Sequence, residues 1–439
     1  MRKQVALQSF GCRTNQQEIA VLSSQLTAMG YTVCDSPERA DIVIVNTCCV
    51  TGHAESSSRR FIRSLARRRP QARVMVTGCL AQKDPGQFSA FETVDWVVGN
   101  TNKASAADLI ERGVPGTFHD REGLDGSAPV RAFHPEIGGA EALRTRFPVK
   151  IQEGCDFACA YCIVPAVRGR SRSVSAKETV AACGRAVAAG FKELVLTGTH
   201  IGQYRDADCG GITGLVARIA AIDGDFRIRL SSFDPRDLDD ALVSLLRTEG
   251  KVCRHLHVSV QSFSQPVLRA MGRETADAEG ISARLRGLRE SLPDLSLGVD
   301  LIAGFPGETD AMFGQTLDAL ERAGCTYGHV FRFSARPNTP AASMSGRVRE
   351  EVGNARAALL RGQLERLNAR FIESQTGRRH RIIVEKTAPV SGVSANYLNV
   401  VVPAATAARN AWLDVVVTGL NGKRVRSCTA SLLEQADDD

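Results

Sequence analysis

No stretch of this sequence is apolar for long enough to span a bilayer, which argues against a membrane protein. The start, Met1-Arg2-Lys3-Gln4-Val5-Ala6-Leu7-Gln8, lacks a long apolar core and runs straight into a patterned strand, so no signal peptide is expected. Nor is there a strong charge surplus. The 55 basic and 48 acidic side chains leave +7, which suits a polyanionic partner without demanding one. A secreted disulfide scaffold is a poor reading of the 13 cysteines, because such scaffolds are short and carry an export signal. Metal-bound thiols in a reducing cytoplasm fit better. At 439 residues the chain has room for two or three domains, and a 43% hydrophobic content is enough for their cores.

What is present centres on Gly154-Cys155-Asp156-Phe157-Ala158-Cys159-Ala160-Tyr161-Cys162. Thiolates select soft metals and iron–sulfur clusters, and three this close can converge on one cluster while leaving an iron open to an exogenous ligand. Structural zinc is the competing reading, but it needs a fourth ligand and usually pairs its cysteines as CxxC twice.

Ahead of this loop the pattern is α/β. Val5-Ala6-Leu7, Asp41-Ile42-Val43-Ile44-Val45 and Arg73-Val74-Met75-Val76-Thr77 read as strands separated by helices, the second continuously apolar as in a buried parallel strand. Each strand runs into a cysteine: Cys12, Cys48 (next to Cys49) and Cys79. Loops at the carboxyl edge of a parallel sheet converge, so these three positions form a second candidate triad, with the choice between Cys48 and Cys49 open on spacing alone. An arginine run, Arg59, Arg60, Arg63, Arg67, Arg68, Arg69 and Arg73, is a solvated helix face or a phosphate-contacting one. Cys34, Cys183, Cys209, Cys253, Cys325 and Cys428 have no such grouping and read as ordinary thiols.

Residues 1–114 thus form an N-terminal α/β parallel-sheet domain and 115–144, rich in Gly, Pro and acidic residues, a linker. In 145–375 six strands alternate with helices, which predicts a partial (β/α)6 barrel with its working residues at the carboxyl rim. The strands end in Gly198, in Ser231-Ser232, in Gln261-Ser262 and in Gly304-Phe305. Glycine-rich tips let a nucleotide-sized ligand approach the backbone. His200, His255 and His257 read as hydrogen-bonded core histidines or supports behind a ligand, and Glu308 as the cap of the next helix. In 376–436, four short strands predict a small all-β barrel; basic Arg378-Arg379-His380-Arg381 and Lys423-Arg424-Val425-Arg426 admit nucleic acid, and the closing acidic residues read as a tail.

Taken together, the phrases Gly11-Cys12, Asn46-Thr47-Cys48, Thr77-Gly78-Cys79, the CxxxCxxC loop, Leu196-Thr197-Gly198, Gly304-Phe305-Pro306-Gly307-Glu308 and Asn396-Tyr397 resemble the radical S-adenosylmethionine (SAM) methylthiotransferases along nearly the whole chain. The resemblance implies a radical-SAM barrel and a C-terminal RNA-binding TRAM-like domain. It implies two 4Fe–4S clusters: one on Cys155, Cys159 and Cys162 that cleaves SAM, and one on Cys12, Cys48 and Cys79 that holds the sulfur to be inserted. The family phrase favours Cys48 over Cys49. Tyr161, Gly198, Ser231, Ser232, Gln261, Gly304 and Phe305 are the implied SAM contacts. The implied substrate is an adenosine beside the anticodon of tRNA, with a flavodoxin- or ferredoxin-like reductant and a sulfur donor as further partners. Gly11-Cys12-Arg13-Thr14-Asn15-Gln16, Leu230-Ser231-Ser232 and Arg336-Pro337-Asn338-Thr339-Pro340-Ala341-Ala342 look most like the threonylcarbamoyladenosine branch. The other branches act on isopentenyladenosine or on a ribosomal-protein aspartate; a zinc-holding RNA-binding protein is the non-catalytic alternative. Two departures stand out. Phe263 replaces a family glycine and is expected to narrow the cleft, and Arg332-Phe333-Ser334 replaces Pro-Tyr-Ser.

Overall fold

The structure, a computed structural model, describes residues 3–89, 91–120, 124–125, 145–273, 277–422 and 427–432. Most of the expected linker, the Lys423–Arg426 segment and the acidic tail lie outside the described residues. In the first 120 residues, β1 (Gln4–Ser9), β2 (Thr32–Cys34), β3 (Ile42–Thr47), β4 (Arg73–Gly78), β5 (Val94–Val98) and β6 (Gly116–Phe118) form one parallel sheet in the order β2-β1-β3-β4-β5-β6. Alternate residues of β3 serve opposite faces. Ile42 and Ile44 pack with Leu22 and Leu26 of α1 (Arg13–Ala28), whereas Val43 and Val45 pack with Ile62 and Leu65 of α2 (Gly52–Arg68). That double burial is why β3 reads as an unbroken apolar run. The order 2-1-3-4-5 places its switch point between β1 and β3, where ligands of open α/β sheets gather.

β6 lies within the stretch read as linker. Three residues carry too little periodicity to announce a strand, yet they pair with β5 over Trp96–Val98, and Phe118 packs against the core.

The central region contains β7 (Arg146–Glu153), β8 (Arg172–Ser173), β9 (Glu193–Gly198), β10 (Arg227–Leu230), β11 (Ser232–Phe233), β12 (His255–Gln261), β13 (Ser296–Ala303) and β14 (Tyr327–Arg332). The expected six-strand parallel order is present, but as two four-stranded halves, β8-β7-β9-β10 and β11-β12-β13-β14. The break falls at Ser231, whose hydroxyl donates to Leu196 O at 2.7 Å. The two halves are joined by the chain itself and by an Ile228–Val252 bridge, and one apolar core runs beneath both. The long helix Glu350–Glu373 packs on this core and leads to the C-terminal domain.

There β15 (Arg379–Thr387), β16 (Val390–Ser394), β17 (Asn399–Val402), β18 (Trp412–Leu420) and β19 (Ser427–Leu432) close a five-stranded barrel. β19 was not expected: its inward residues, Cys428 and Ala430, are too small to mark a strand by hydrophobicity. The barrel docks on the amino ends of the central strands. Buried Glu193 binds Arg227 and Arg229, whose guanidinium groups donate to Val393 O (2.7 Å) and Ser394 O (3.0 Å).

Candidate metal centres

The first thiol loop begins with Gly154 at φ +78°, where an added Cβ would lie 1.9 Å from Arg170 O, so only glycine can start it. The loop is tied to the opposite side of the rim: Ala160 N donates to Met271 O (2.8 Å) and Ala341 N donates to Ala160 O (2.9 Å). Phe305 is fully buried beneath it with Ala160, Met271 and Ala341, edge-on to Phe333 at 5.2 Å. Cys155 and Cys159 each have a polar side-chain neighbour. His200 Nδ1 lies 3.5 Å from Cys155 Sγ, and its Nε2 lies 2.5 Å from Asp237 Oδ2. Burial opposes charge on His200, but the bonds to Asp237 and Cys155 prevail and hold its pKa up at about 9. Arg273 Nη1 donates towards Cys159 Sγ (3.9 Å) while its other arm pairs with Asp234 at 2.8 Å. The Tyr161 hydroxyl bonds Cys159, and burial keeps it protonated. Burial pushes the Cys162 thiol up to about 12.

Gly198, Ser231, Ser232, Gln261, Gly304 and Phe305 lie at the carboxyl ends of the same strands. Ser232 is exposed, Gln261 takes φ +72° at the tip of β12, and Gly304 N donates to Glu308 Oε2 at 2.8 Å. Glu308 is not the helix cap expected from sequence: Thr309 takes that role, and Glu308 instead pairs with Arg356. Phe263 is turned into the apolar core and its N–H donates to Thr316 Oγ1 (3.1 Å), so it does not narrow the cleft.

The second group forms at the switch point of the N-terminal sheet. Cys12 stands at the N-cap position of α1, Cys48 follows β3, and Cys79 opens the short helix α3 (Cys79–Lys83) behind β4. A Cβ on Gly11 would stand 2.4 Å from Cys48 Sγ, so the glycine before Cys12 makes room for the second thiol. Cys49 points instead into the apolar core under α2 and bonds Cys79. That bond, helped by Arg168 and Lys103 against the cost of burial, lowers Cys79 to about 5. Burial and the neighbouring Cys79 and Cys12 push Cys48 up to about 12. Packed thiols that resist ionising together are in the condition a bound cation relieves.

Behind this triad lies a buried ionic group missing from the sequence reading. Glu18 of α1 accepts from Arg168 (2.9 Å), from Lys150 of β7 (3.4 Å) and from Lys103; Glu153 accepts from Arg168 (2.8 Å) and Lys150 (2.9 Å). Arg168 also reaches Asn15 Oδ1 at 2.9 Å. Burial would raise Glu18, but Arg168, Lys103 and Lys150 outweigh it and hold the carboxyl well below its usual range. Arg168 ends a five-residue helix, Val164–Arg168, that starts just beyond Cys162. Asn100 Nδ2 bonds both Val167 O (2.9 Å) and Cys79 Sγ (3.7 Å). One helical turn therefore joins the two triads. A second contact between the domains runs from α2 to the segment after β14, where Gly52 N donates to Ser334 Oγ (3.2 Å) and Glu55 pairs with Arg336 (2.9 Å).

On α2 the arginines divide. Arg59 and Arg68 pair with Glu55 and Glu38, whereas Arg60, Arg63 and Arg67 are exposed on one face; Arg73, which opens β4, lies over Trp96. Arg378 and Arg381 of the C-terminal barrel pair with Asp294 and Asp225.

Comparison with known proteins divides the chain in the same way. Residues 4–99 match the Uncharacterized protein family UPF0004, and residues 149–320 match the Radical SAM superfamily. Threonylcarbamoyladenosine tRNA methylthiotransferase MtaB of Thermotoga maritima is 33% identical over 437 residues, covering 98% of each chain. Its Bacillus subtilis namesake is 34% identical over 80% of this chain and 78% of its own. The tRNA-2-methylthio-N(6)-dimethylallyladenosine synthase of Desulfosudis oleivorans is 33% identical over 89% of this chain and 84% of its own. Among solved structures, the radical S-adenosylmethionine methyltransferase TsrM of Kitasatospora setae, with cobalamin and a 4Fe-4S cluster bound, shares the fold at 17% identity and a TM-score of 0.57, over 78% of this chain and 77% of that one. The chain belongs to the radical-SAM tRNA methylthiotransferase family.

Proposed function

We propose that the protein is a SAM-dependent tRNA methylthiotransferase that exchanges the C2 hydrogen of N6-threonylcarbamoyladenosine, beside the anticodon at position 37, for a methylthio group. The observation that carries this is the pair of thiol triads at the carboxyl edges of two domains, joined by the Val164–Arg168 helix. The substrate is favoured by the end-to-end match to the Thermotoga maritima enzyme.

The donor sets suit iron–sulfur clusters. Each triad offers three free thiols in electrostatic contact, and thiolate donors are what such clusters take. Cys155, Cys159 and Cys162 would hold one 4Fe–4S cluster, and Cys12, Cys48 and Cys79 the other. Together with SAM, these groups supply the one-electron chemistry that opens an unactivated C–H bond and the sulfur that takes the hydrogen's place. The protein's own part is placement. His200, held by Asp237, orients Cys155; Arg273, held by Asp234, places a cation against Cys159. Gly198, Ser231, Ser232, Gln261, Gly304 and Tyr161 line the rim where the nucleotide of SAM would lie, and buried Phe305 supports the loop from below. Glu18, Arg168 and Lys103 fix the second triad against the first and keep water from the seam.

Exposed Arg60, Arg63 and Arg67 offer cations to tRNA phosphates. A flavodoxin- or ferredoxin-like reductant and a separate sulfur donor complete the partners, and the cytoplasm is the compartment in which exposed Cys12 stays reduced. Among the described residues no helix is long and apolar enough to cross a membrane.

Mass spectrometry of tRNA nucleosides from a strain lacking the gene tests the substrate. The reading requires loss of 2-methylthio-threonylcarbamoyladenosine alone. Loss of the dimethylallyl derivative moves the protein to that branch, and an unchanged nucleoside profile removes tRNA as the substrate.

A further inference from the structure

The inner face of the second barrel half carries a group of side chains that the methylthiotransfer reading does not use. β12, β13 and β14 turn Leu256, Val258, Val260, Leu297, Val299, Leu301 and Val330 into the apolar core. Their alternate residues face the other way and include His255, His257, Ser259, Asp300, Tyr327 and His329. Gly298 is opposite both His257 and Tyr327, and Asp300 is opposite His329. Burying titratable groups in a strand costs stability unless they are paired or bind something, so this face is not filler.

His257, Asp300 and His329 each turn one donor atom to a common point, and the three atoms lie within 4.8 Å of one another. His257 Nε2 is 2.9 Å and His329 Nδ1 is 3.2 Å from the same oxygen, Asp300 Oδ1. Each inner donor is held from behind. Ser259 Oγ donates to the other carboxylate oxygen of Asp300 at 3.0 Å, and the Tyr327 hydroxyl lies 3.0 Å from His257 Nδ1. Tyr327 is itself braced by His255 Nε2 at 2.7 Å. Space for this bracing exists because β13 has glycine at 298: a Cβ there would lie 2.2 Å from the Tyr327 ring and 2.5 Å from His257 Nδ1. Outer partners that orient a ligating histidine and a ligating carboxylate are the habit of metal sites. The fourth side is open, since the His329 side chain is 46% exposed whereas that of His257 is 7% exposed.

We propose that His257, Asp300 and His329 form a mononuclear site for a divalent transition metal, with open coordination positions on the exposed side of His329. Two imidazoles and one carboxylate on one side of an ion, the rest open, is an arrangement that zinc and ferrous iron accept. Binding requires the neutral tautomers that leave His257 Nε2 and His329 Nδ1 unprotonated, so that His257 Nδ1 donates to the Tyr327 hydroxyl while Ser259 still donates to Asp300. The site shares no residue with either thiol triad.

Zinc is the probe, because it is redox-inert. The anaerobically reconstituted protein, with its thiols loaded, is dialysed against a chelator and titrated with zinc by equilibrium dialysis and elemental analysis. Wild type is expected to take up one zinc per chain beyond its iron. His329→Ala, at a half-exposed position, is expected to lose that zinc with iron content and cluster EPR spectra unchanged. Ser259→Ala, which leaves every ligand in place, is expected to weaken zinc binding by about 10-fold or more. Absence of the extra zinc in wild type overturns the proposal. So does zinc uptake that survives His329→Ala, or uptake that disappears with Cys12→Ala instead. This readout requires no methylthio transfer, so its failure would leave the functional reading intact.

Discussion

The two thiol triads serve like purposes by opposite routes. Cys155, Cys159 and Cys162 occupy one loop, tied by backbone bonds from Cys155 N to Gly169 O and from Ala160 N to Met271 O. Cys12, Cys48 and Cys79 come from three loops that only the parallel order of β1, β3 and β4 brings together. The first triad has separate polar neighbours in His200, Tyr161 and Arg273; the second rests on a buried ionic group of two carboxylates and three cations. A local triad is set by its own loop, whereas an assembled one depends on the sheet that carries it and on the ionic group where two domains meet. That difference can be tested.

The largest effect is expected at the local triad. Cys159→Ala should abolish deoxyadenosine formation from SAM and all methylthio product, measured by chromatography. Cys12→Ala should abolish the methylthio product yet keep deoxyadenosine formation, because it leaves the loop of the first triad untouched. Equal loss of both activities in Cys12→Ala would erase the distinction.

Next is the ionic group. Arg168→Met leaves Glu18 and Glu153 buried with fewer cations, and breaking a buried pair this way costs about 3–5 kcal/mol, to be measured by chemical denaturation of the unreconstituted protein. His200→Ala should cost less, since it breaks a single pair, with Asp237, rather than a five-member ionic group. The same group sets an acid limit. Glu18 and Glu153 have depressed folded-state pKa values, burial being outweighed by Arg168, Lys103 and Lys150 for the first and by Lys150 and Arg168 for the second. The stability they confer is therefore present above the unfolded carboxyl pKa of about 4.3 and is lost as pH falls through the folded values. Denaturation midpoints between neutral and acid pH should fall less steeply in Glu18→Gln than in wild type.

These contrasts follow how visible each region is in the sequence. The first triad and its barrel were legible because spacing and strand–helix alternation are local signals. The second triad was legible once the strands were placed, since each cysteine directly follows one. The preference for Cys48 over Cys49 came from the phrase Asn46-Thr47-Cys48 and not from spacing, because adjacent residues differ only in which face they take. Glu18, Lys103 and Arg168 were illegible: they meet only after α1, the turn after β5 and the Val164–Arg168 helix have packed together. Strand β6 was missed because three residues carry too little periodicity, β19 for want of bulky inward side chains, and the core position of Phe263 for want of any signal of which way it turns.

Smaller effects sharpen the comparison. Cys49→Ser should leave iron content near wild type while Cys48→Ser lowers it. Arg60→Gln, Arg63→Gln and Arg67→Gln together should weaken tRNA binding only modestly. Each lost phosphate contact should flatten the dependence of log affinity on log salt by about one unit or less, read from binding isotherms across salt concentrations.

Iron content tests the central claim most directly. Anaerobically reconstituted wild type should hold about eight irons per chain, and Cys12→Ala, Cys48→Ala and Cys79→Ala about four each, with SAM cleavage retained. Four irons in wild type, unchanged in those three variants, would contradict the two-centre account.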